Sequence, residues 1–327
     1  RKLWTINNDF FEIRFVMNIL VTAIGSFSAD CVINSLRNAG HTVVGCDIYP
    51  SEWHAVSKDC NWVYQAPFAT KESEYIQFLL EISLKHHIEY LFPLTDLEID
   101  VLNQNRTIFE QNKIVLCMPS SRTLAIARDK YTLYKTFEHD DLVPSIATYL
   151  SGEVPMSLLP AIAKPYNGRS SEGLSRISEV KELEEISQKR GYIFQEVKEG
   201  PIFTVDYVRN NQTNRDFSVA REELLRTKNG AGTTVRMSND TSLKQLVSHI
   251  GRTIQVNGCI NMEFIQSNGQ YYLIDINPRF SAGVAFSHMI GYNMVLNHLN
   301  CFIGKDIQAS VLYQEQIIVK RYREEVV

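Results

Sequence analysis

Between Asn18 and Met118 the chain alternates short, apolar, β-branched runs with amphipathic stretches, and this alternation narrows the fold more than any other feature. The runs are NILVTAI (18–24), HTVVGCD (41–47), YLFPL (90–94) and KIVLCMP (113–119). Ser73 to His87 and Asp96 to Gln111 read as helices between them, with Leu79 and Ile82 facing a sheet. That pattern predicts βαβ units and one doubly wound parallel α/β domain over residues 17–119. After Ser120 the texture changes to α+β. A helical piece runs to Glu138, then strand-like runs centre on Ile146, Ala161, Tyr192, Ile202 and Phe217. Helical stretches at Glu179 to Arg190 and Ser242 to Gln255 interrupt them, which predicts antiparallel sheets. Asn268-Gly269, between CINMEFIQ and QYYLIDIN, is the strongest hairpin signal in the chain.

Length and composition set the class. At about 150 residues per domain, 327 residues give two domains. With 44% hydrophobic and 21% charged residues the chain is an ordinary globular sequence, and no apolar run approaches the ~18 residues of a membrane helix. A formal charge of -4 gives no global reason to bind nucleic acid or an anionic membrane, so neither is expected as a partner. The six cysteines lie far apart without the spacing of a redox or zinc motif and read as reduced thiols. Residues 1–16 place Asn, Asp, Glu and Arg where a signal peptide needs an apolar stretch, and read as an extension ahead of the fold. The cytoplasm is the default location.

Three segments hold candidate chemistry. Gly25 after the first strand and Asp47 at the end of the second mimic a dinucleotide site, but Phe27 and Asp30 stand where further glycines would admit pyrophosphate. The turn stays open to a small-molecule carboxylate. In KPYNGRSSEGL, Lys164 to Leu174, a strand ends in lysine and opens into a loop of Gly, Ser and Asn. Backbone N–H groups there can cradle polyphosphate with Lys164 as counter-charge; a polar surface hairpin is the alternative. The glycine spacing of a Walker loop is absent.

In the third segment, NMEFIQSNGQYYLIDINPRF, Glu263 and Asp275 sit on two strands joined at Asn268-Gly269, roughly equidistant from the turn. Pairing brings the carboxylates together, which is costly unless a cation lies between them; hard oxygen ligands suit Mg²⁺. Asn277 and Arg279 follow at alternate positions on the same face, adding an oxygen and a phosphate-binding fork.

Taken together these segments resemble the ATP-grasp superfamily, in particular the carboxylate–amine ligases similar to the carbamoyl-phosphate synthase large subunit, over Asn18 to Arg323. The resemblance implies a pre-ATP-grasp α/β domain followed by the grasp over 120–327, with an ATP-binding part to about residue 200 and a metal and substrate part beyond it. In ARDKYTLYKTF, Lys130 matches a lysine that contacts ATP phosphates, and Lys164 matches the second. Gly168 to Gly173, with Ser170 and Ser171, looks like the phosphate loop. In FQEVKEG, Glu196 and the Val197 backbone look like the hinge that meets adenine. Glu263, Asp275 and Asn277 match the Mg²⁺ ligands, and Arg279 the arginine of the asparagine-proline-arginine signature. Two positions depart from the family. Phe203 stands where many relatives place a ribose-binding glutamate, and Asp275 replaces the usual longer Glu. Asp206 and the stretch Arg221 to Thr234, with Lys228, Gly230 and Gly232, resemble the substrate-facing region, its glycines suggesting a lid.

What the resemblance implies is a ligase using ATP and Mg²⁺, or Mn²⁺ in its place. A carboxylate attacks the γ-phosphate, and an amine then displaces phosphate from the acyl phosphate, with Arg279, Lys164 and Asn277 as the catalytic groups. Small-molecule carboxylate and amine substrates and a homodimer are the partners it implies. A bicarbonate-activating enzyme of the same fold, a non-catalytic ATP-binding regulator and a nicotinamide-dependent dehydrogenase are the competing readings. His54, His139, His249 and His298 read as surface or satisfied side chains, and so does His288, though its place nine residues past Arg279 leaves it open as a neighbour of the acceptor.

Overall fold

The computed structural model describes residues 16–168, 173–228 and 230–326. Residues 1–15 of the predicted extension, and Ser170 and Ser171 of the candidate phosphate loop, lie outside the described residues.

The alternating pattern of the first third folds as a parallel sheet. Its elements are β1 (Asn18–Thr22), α1 (Ala29–Asn38), β2 (Thr42–Asp47), β3 (Trp62–Gln65), α2 (Glu72–Lys85), β4 (Tyr90–Phe92), α3 (Asp96–Gln104), α4 (Arg106–Gln111) and β5 (Val115–Leu116). The strand order is β3-β2-β1-β4-β5, all parallel, and it reverses between β1 and β4. Such a reversal opens a crevice at the carboxyl ends of the strands. The edge strand β3, four residues with exposed ends, has no apolar run to announce it. The single helix expected over Asp96 to Gln111 breaks at Asn105. That side chain donates back to the Val101 carbonyl at 2.9 Å and to Glu72 at 2.8 Å, competing with the helical ladder.

Two short helices follow, α5 (Ser121–Ala127) and α6 (Lys130–Phe137). They are divided by Asp129, whose carboxylate accepts the Thr132 N–H at 2.8 Å and caps α6. A four-stranded antiparallel sheet comes next: β6 (Thr148–Leu150), β7 (Ala161–Pro165), β8 (Ser175–Ile177), α7 (Val180–Ile186) and β9 (Tyr192–Glu196), in the order β6-β9-β7-β8. The helix α7 ends at Ile186, short of the predicted Arg190.

The remaining strands build a six-stranded antiparallel sheet. They are β10 (Ile202–Arg209), β11 (Asp216–Arg226), β12 (Gly232–Ser238), β13 (Gly258–Ser267), β14 (Gln270–Asn277) and β15 (Ile317–Val319), in the order β14-β13-β10-β11-β12-β15. Helices α8 (Thr241–Thr253), α9 (Val284–Met289) and α10 (Met294–Asn300) pack on it. Strand alternation divides its two faces. Val205, Tyr207, Ala220, Met262 and Phe264 point into a core with Leu243, Val247 and Ile250 of α8. Their neighbours Thr204, Arg221, Glu223, Asn261 and Glu263 line the opposite, polar side. At one end of that side α10 closes over the sheet and joins it to the parallel layer through the buried His298. The Cys259 N–H donates to its Nδ1 at 2.7 Å, and its Nε2 lies 3.0 Å from the Cys117 carbonyl oxygen past β5. The neutral ring protonated on Nε2 satisfies both contacts, and burial holds its pKa down at about 4.

Candidate active site

The polar half of the large sheet faces a cavity of about 590 Å³ whose far wall is the crevice of the parallel sheet. The chemistry begins at the β13–β14 hairpin, with Asn268 (φ 50°) and Gly269 (φ 76°) in the left-handed turn that their sequence predicts. The strands leave the turn in simple register from Ser267↔Gln270 to Phe264↔Leu273. A β-bulge then inserts Ile274, so that Glu263 pairs with Asp275 and Asn261 with Asn277. Without the extra residue Glu263 would oppose Ile274. The bulge is what puts Glu263, Asp275 and Asn277 together on the lining of the cavity.

Cations surround these carboxylates. Lys130, at the start of α6, is 3.2 Å from Asp275 Oδ1, and its Nζ also donates to the Gly168 carbonyl at 2.9 Å. Arg226, at the end of β11, is 2.9 Å from Glu263 Oε2. Lys164 reaches from the small sheet to the large one, its Nζ 3.3 Å from the carbonyl of the bulged residue Ile274. Burial pushes the Lys164 ammonium down to about 8, Asp275 opposing and Lys130 reinforcing the shift. Burial likewise raises the Glu263 carboxyl; Arg226 pulls it down and Asp275 pushes it further up. A desolvated lysine beside two adjacent carboxylates is an arrangement that ionic ligands of both signs relieve.

Arg279 is fixed from outside the hairpin. Its Nη2 and Nε lie 2.8 and 3.0 Å from Asp96 Oδ2, in the first turn of α3. Burial raises the Asp96 carboxyl, but Arg279, Arg128 and Lys130 together outweigh this and hold it below the usual carboxylate range. Asn277 is oriented by the buried Asn261, whose Oδ1 accepts its amide at 3.2 Å, leaving Asn277 Oδ1 toward Arg279 at 3.5 Å.

The floor holds a buried ionic group. Arg221 is 2.9 Å from Asp206 and 3.3 Å from Glu223, with Ser281 at 3.0 Å, and Ser287 donates to Asp206 at 2.6 Å. Two glycines make room for it. A Cβ on Gly232 would fall 1.9 Å from Glu223 Oε2, and one on Gly283 2.7 Å from Arg221 Nη2. Arg226 closes the rim, donating to the Gly230 carbonyl at 2.8 Å.

The structure thus gathers Lys130, Lys164, Gly168, Glu263, Asp275, Asn277 and Arg279. It turns Phe203 away, a correction to its expected place at the ribose. Phe203 alternates with Thr204, so it packs into the core edge-on to Tyr271 at 5.2 Å while Thr204 takes the cavity side. Glu196 ends β9 with its carboxylate on Lys198 at 2.9 Å, and neither it nor Val197 is on the lining of the large cavity. Gly173 (φ 73°) is the first described residue after 169–172 of the candidate phosphate loop. His288 is exposed and off the lining, while His54 packs against Gly25, where an added Cβ would meet its ring at 2.7 Å. Asp47 accepts the Gly25 N–H at 2.8 Å, so the two residues of the dinucleotide mimic bond to each other. Asp96, Asn261 and Arg226 are the site residues that the sequence did not single out by role. Asp96 lies inside Thr95-Asp-Leu-Glu98, whose capping-box spacing marks a helix start and no more.

No group of three His, Cys, Asp or Glu able to hold a metal by itself occurs among the described residues. The donors present are two carboxylates and an amide oxygen, a hard set that fits Mg²⁺ only if substrate oxygens complete the shell.

The architecture is a parallel layer followed by two antiparallel sheets, the smaller reaching through Lys164 to the carboxylate hairpin at the edge of the larger. Residues 127–283 match the family model of the ATP-grasp domain, and the chain carries that domain. Solved structures share the whole fold. Biotin carboxylase from Campylobacter jejuni superposes with a TM-score of 0.76 at 15% identity, over 90% of this chain and 72% of that one. The biotin carboxylase domain of Hydrogenobacter thermophilus 2-oxoglutarate carboxylase, in complex with MgADP, ADP and bicarbonate, gives 0.75 at 16%, over 91% and 73%. N5-carboxyaminoimidazole synthetase from Staphylococcus aureus, complexed with ADP, gives 0.74 at 14%, over 94% and 83%. At this identity the likeness speaks for the fold. No curated protein sequence matches the chain. No helix among the described residues is long and apolar enough to cross a membrane.

Proposed function

We propose that this protein is an ATP-dependent carboxylate–amine ligase that works through an acyl phosphate and releases ADP and phosphate. The observation that supports this best is the bulged hairpin, which sets Glu263 against Asp275 within reach of Lys130, Lys164 and the anchored Arg279. Glu263, Asp275 and Asn277 would hold Mg²⁺, which when bound offsets the charge of the phosphates. Lys130 and Lys164 exchange their present partners, Asp275 and two backbone carbonyls, for phosphate oxygens. A carboxylate oxygen attacks the γ-phosphorus, the bond to the β-phosphate breaks and ADP leaves. The amine nitrogen then attacks the acyl carbon, the carbon–oxygen bond to phosphate breaks, and the amine gives up a proton. Arg279, held in place by Asp96, points its guanidinium at the charge that builds on the transferring phosphoryl group and then on the tetrahedral oxygen. The ribose is met on the Thr204 side of β10 rather than by Phe203.

Bicarbonate as the activated carboxylate is the second reading, favoured by the likeness of fold to biotin carboxylases. ADP release from Mg²⁺-ATP is measured with pooled carboxylates against pooled amines, with bicarbonate as a separate arm and Glu263→Gln as the blank. Release that needs both pools and fails in the variant supports the ligase; release with bicarbonate and one amine supports the second reading. ATP binding without release in any arm contradicts both.

A further inference from the structure

Beside the candidate active site lies a second cavity of about 430 Å³, at the carboxyl ends of β1, β2 and β4 where the strand order reverses. Its walls are Ile48, Ala66, Ala69 and Leu97 with the rings of Tyr49 and Phe68, and it borders the larger cavity across Gly25, Ser26, Thr95 and Leu97, which line both. We propose that this cavity receives the apolar, ring-sized body of one of the two ligase substrates, a substrate without phosphate. Its reacting group then reaches past Ser26 and Thr95 to the carboxylate hairpin. The inference rests on the ligase reading of the larger cavity and adds the substrate class.

The charge inventory separates the two cavities. The larger one is lined by Arg221, Arg226 and Arg279. Among the described residues lining the smaller one, none is Lys or Arg, and its charged groups are Asp47 and Glu98. Both acids are already engaged: Asp47 accepts the Gly25 and Tyr49 N–H groups at 2.8 and 3.1 Å, and Glu98 accepts the Tyr75 and Thr95 hydroxyls, each at 2.7 Å. They therefore need no cationic ligand, and they repel a phosphate. A ribonucleotide finds no counter-charge here, so the fold shared with N5-carboxyaminoimidazole synthetase does not bring its substrate along.

Shape points the same way. Ala66 and Ala69 leave room where larger side chains would close the space, while Tyr49 and Phe68 keep about half their surface in water at its rim. Exposed rings around an apolar hollow are what a flat apolar ligand covers. Ala23, on the same lining, is held in the left-handed backbone region at φ 49°, strain of the kind stored at binding sites. One polar group is left over. His54 is 10% exposed, and its Nε2 is sealed from solvent without a hydrogen bond, 3.3 Å from Asp47 Oδ1 but out of alignment. It offers a single polar contact to a substrate that is otherwise apolar.

Calorimetric titration of the full chain with L-phenylalanine, phenylacetate and ribose 5-phosphate tests this, in the wild type, in Ala69→Phe, which fills the cavity, and in Phe68→Ala, which trims its exposed rim. The expected result is that at least one ring probe binds the wild type and binds about tenfold more weakly in both variants, while Mg²⁺-ATP affinity stays within twofold. Tighter binding of ribose 5-phosphate, ring-probe binding that neither variant changes, or no ring-probe binding overturns the proposal. Binding is read without turnover. Ring probes that bind while every arm of the ADP-release assay stays silent would therefore sink the ligase reading and leave the subsite standing.

Discussion

Arg279 and Asp96 lie 183 residues apart in the chain and meet at 2.8 and 3.0 Å, so the arginine that follows the carboxylate hairpin is aimed by the first turn of a helix in the parallel layer. Arg128 adds a second cation 3.6 Å from the same carboxylate. Asp96→Asn leaves the Arg279 guanidinium without its charge partner, while Arg128 keeps Asp100 at 2.8 Å, and should cost about 2 kcal/mol of stability. It should lower kcat more than the KM for ATP, because it frees Arg279 without touching the lysines. The sign of the pH effect follows from the depressed carboxyl. Its stabilisation is complete above the ordinary value of 3.8 and fades as pH falls through the lower, folded value. Thermal melts of wild type and variant should converge in acid.

Lys164 is the opposite case. Its folded value of about 8 lies below 10.5, so the charged lysine opposes folding of the free protein at neutral pH, and the penalty disappears between about 8 and 10.5. Part of the side chain is solvated, which reduces the effect. Lys164→Met should raise stability at pH 7 by about 1 kcal/mol while removing turnover, and the gain should vanish near pH 10.5. Differential scanning calorimetry at the two pH values checks both signs.

His298 predicts a different acid response. The folded ring resists protonation down to about 4, whereas the unfolded ring titrates near 6.5, so stability is full above 6.5 and declines as pH falls toward 4. That gap corresponds to about 3 kcal/mol. In His298→Gln, which can still accept from Cys259 and donate to Cys117, this part of the decline should be absent in urea melts from pH 7 to 4.

The carboxylate pair should behave as a unit toward metal. Glu263→Gln and Asp275→Asn should each lower Mg²⁺-dependent ADP release by at least about 10²-fold, and the double variant little further. Raising Mg²⁺ should partly restore the single variants, and additive losses in the double variant would contradict a shared ion.

Much of this was legible in the sequence because it is local. The βα alternation, the Asn268-Gly269 turn and the order of Lys130, Lys164, Glu263, Asp275 and Arg279 all survive as residue patterns. What was illegible depends on register and distance. The bulge at Ile274 decides which residue faces Glu263, and no side-chain periodicity announces it. The resemblance sets Phe203 where many relatives have a ribose-binding glutamate, but one step of strand alternation puts it in the core. Asp96 and Asn261 act through partners far from them in the chain or across a strand pair, which only the folded chain brings near.

The most direct test follows the oxygen. With a substrate pair from the pooled assay, the carboxylate is labelled with oxygen-18 and the released phosphate is analysed by mass spectrometry. The account predicts one labelled oxygen in inorganic phosphate alongside ADP. Label that stays out of phosphate, or release of AMP and pyrophosphate, would contradict the acyl-phosphate route and with it the roles given to Glu263, Asp275 and Arg279.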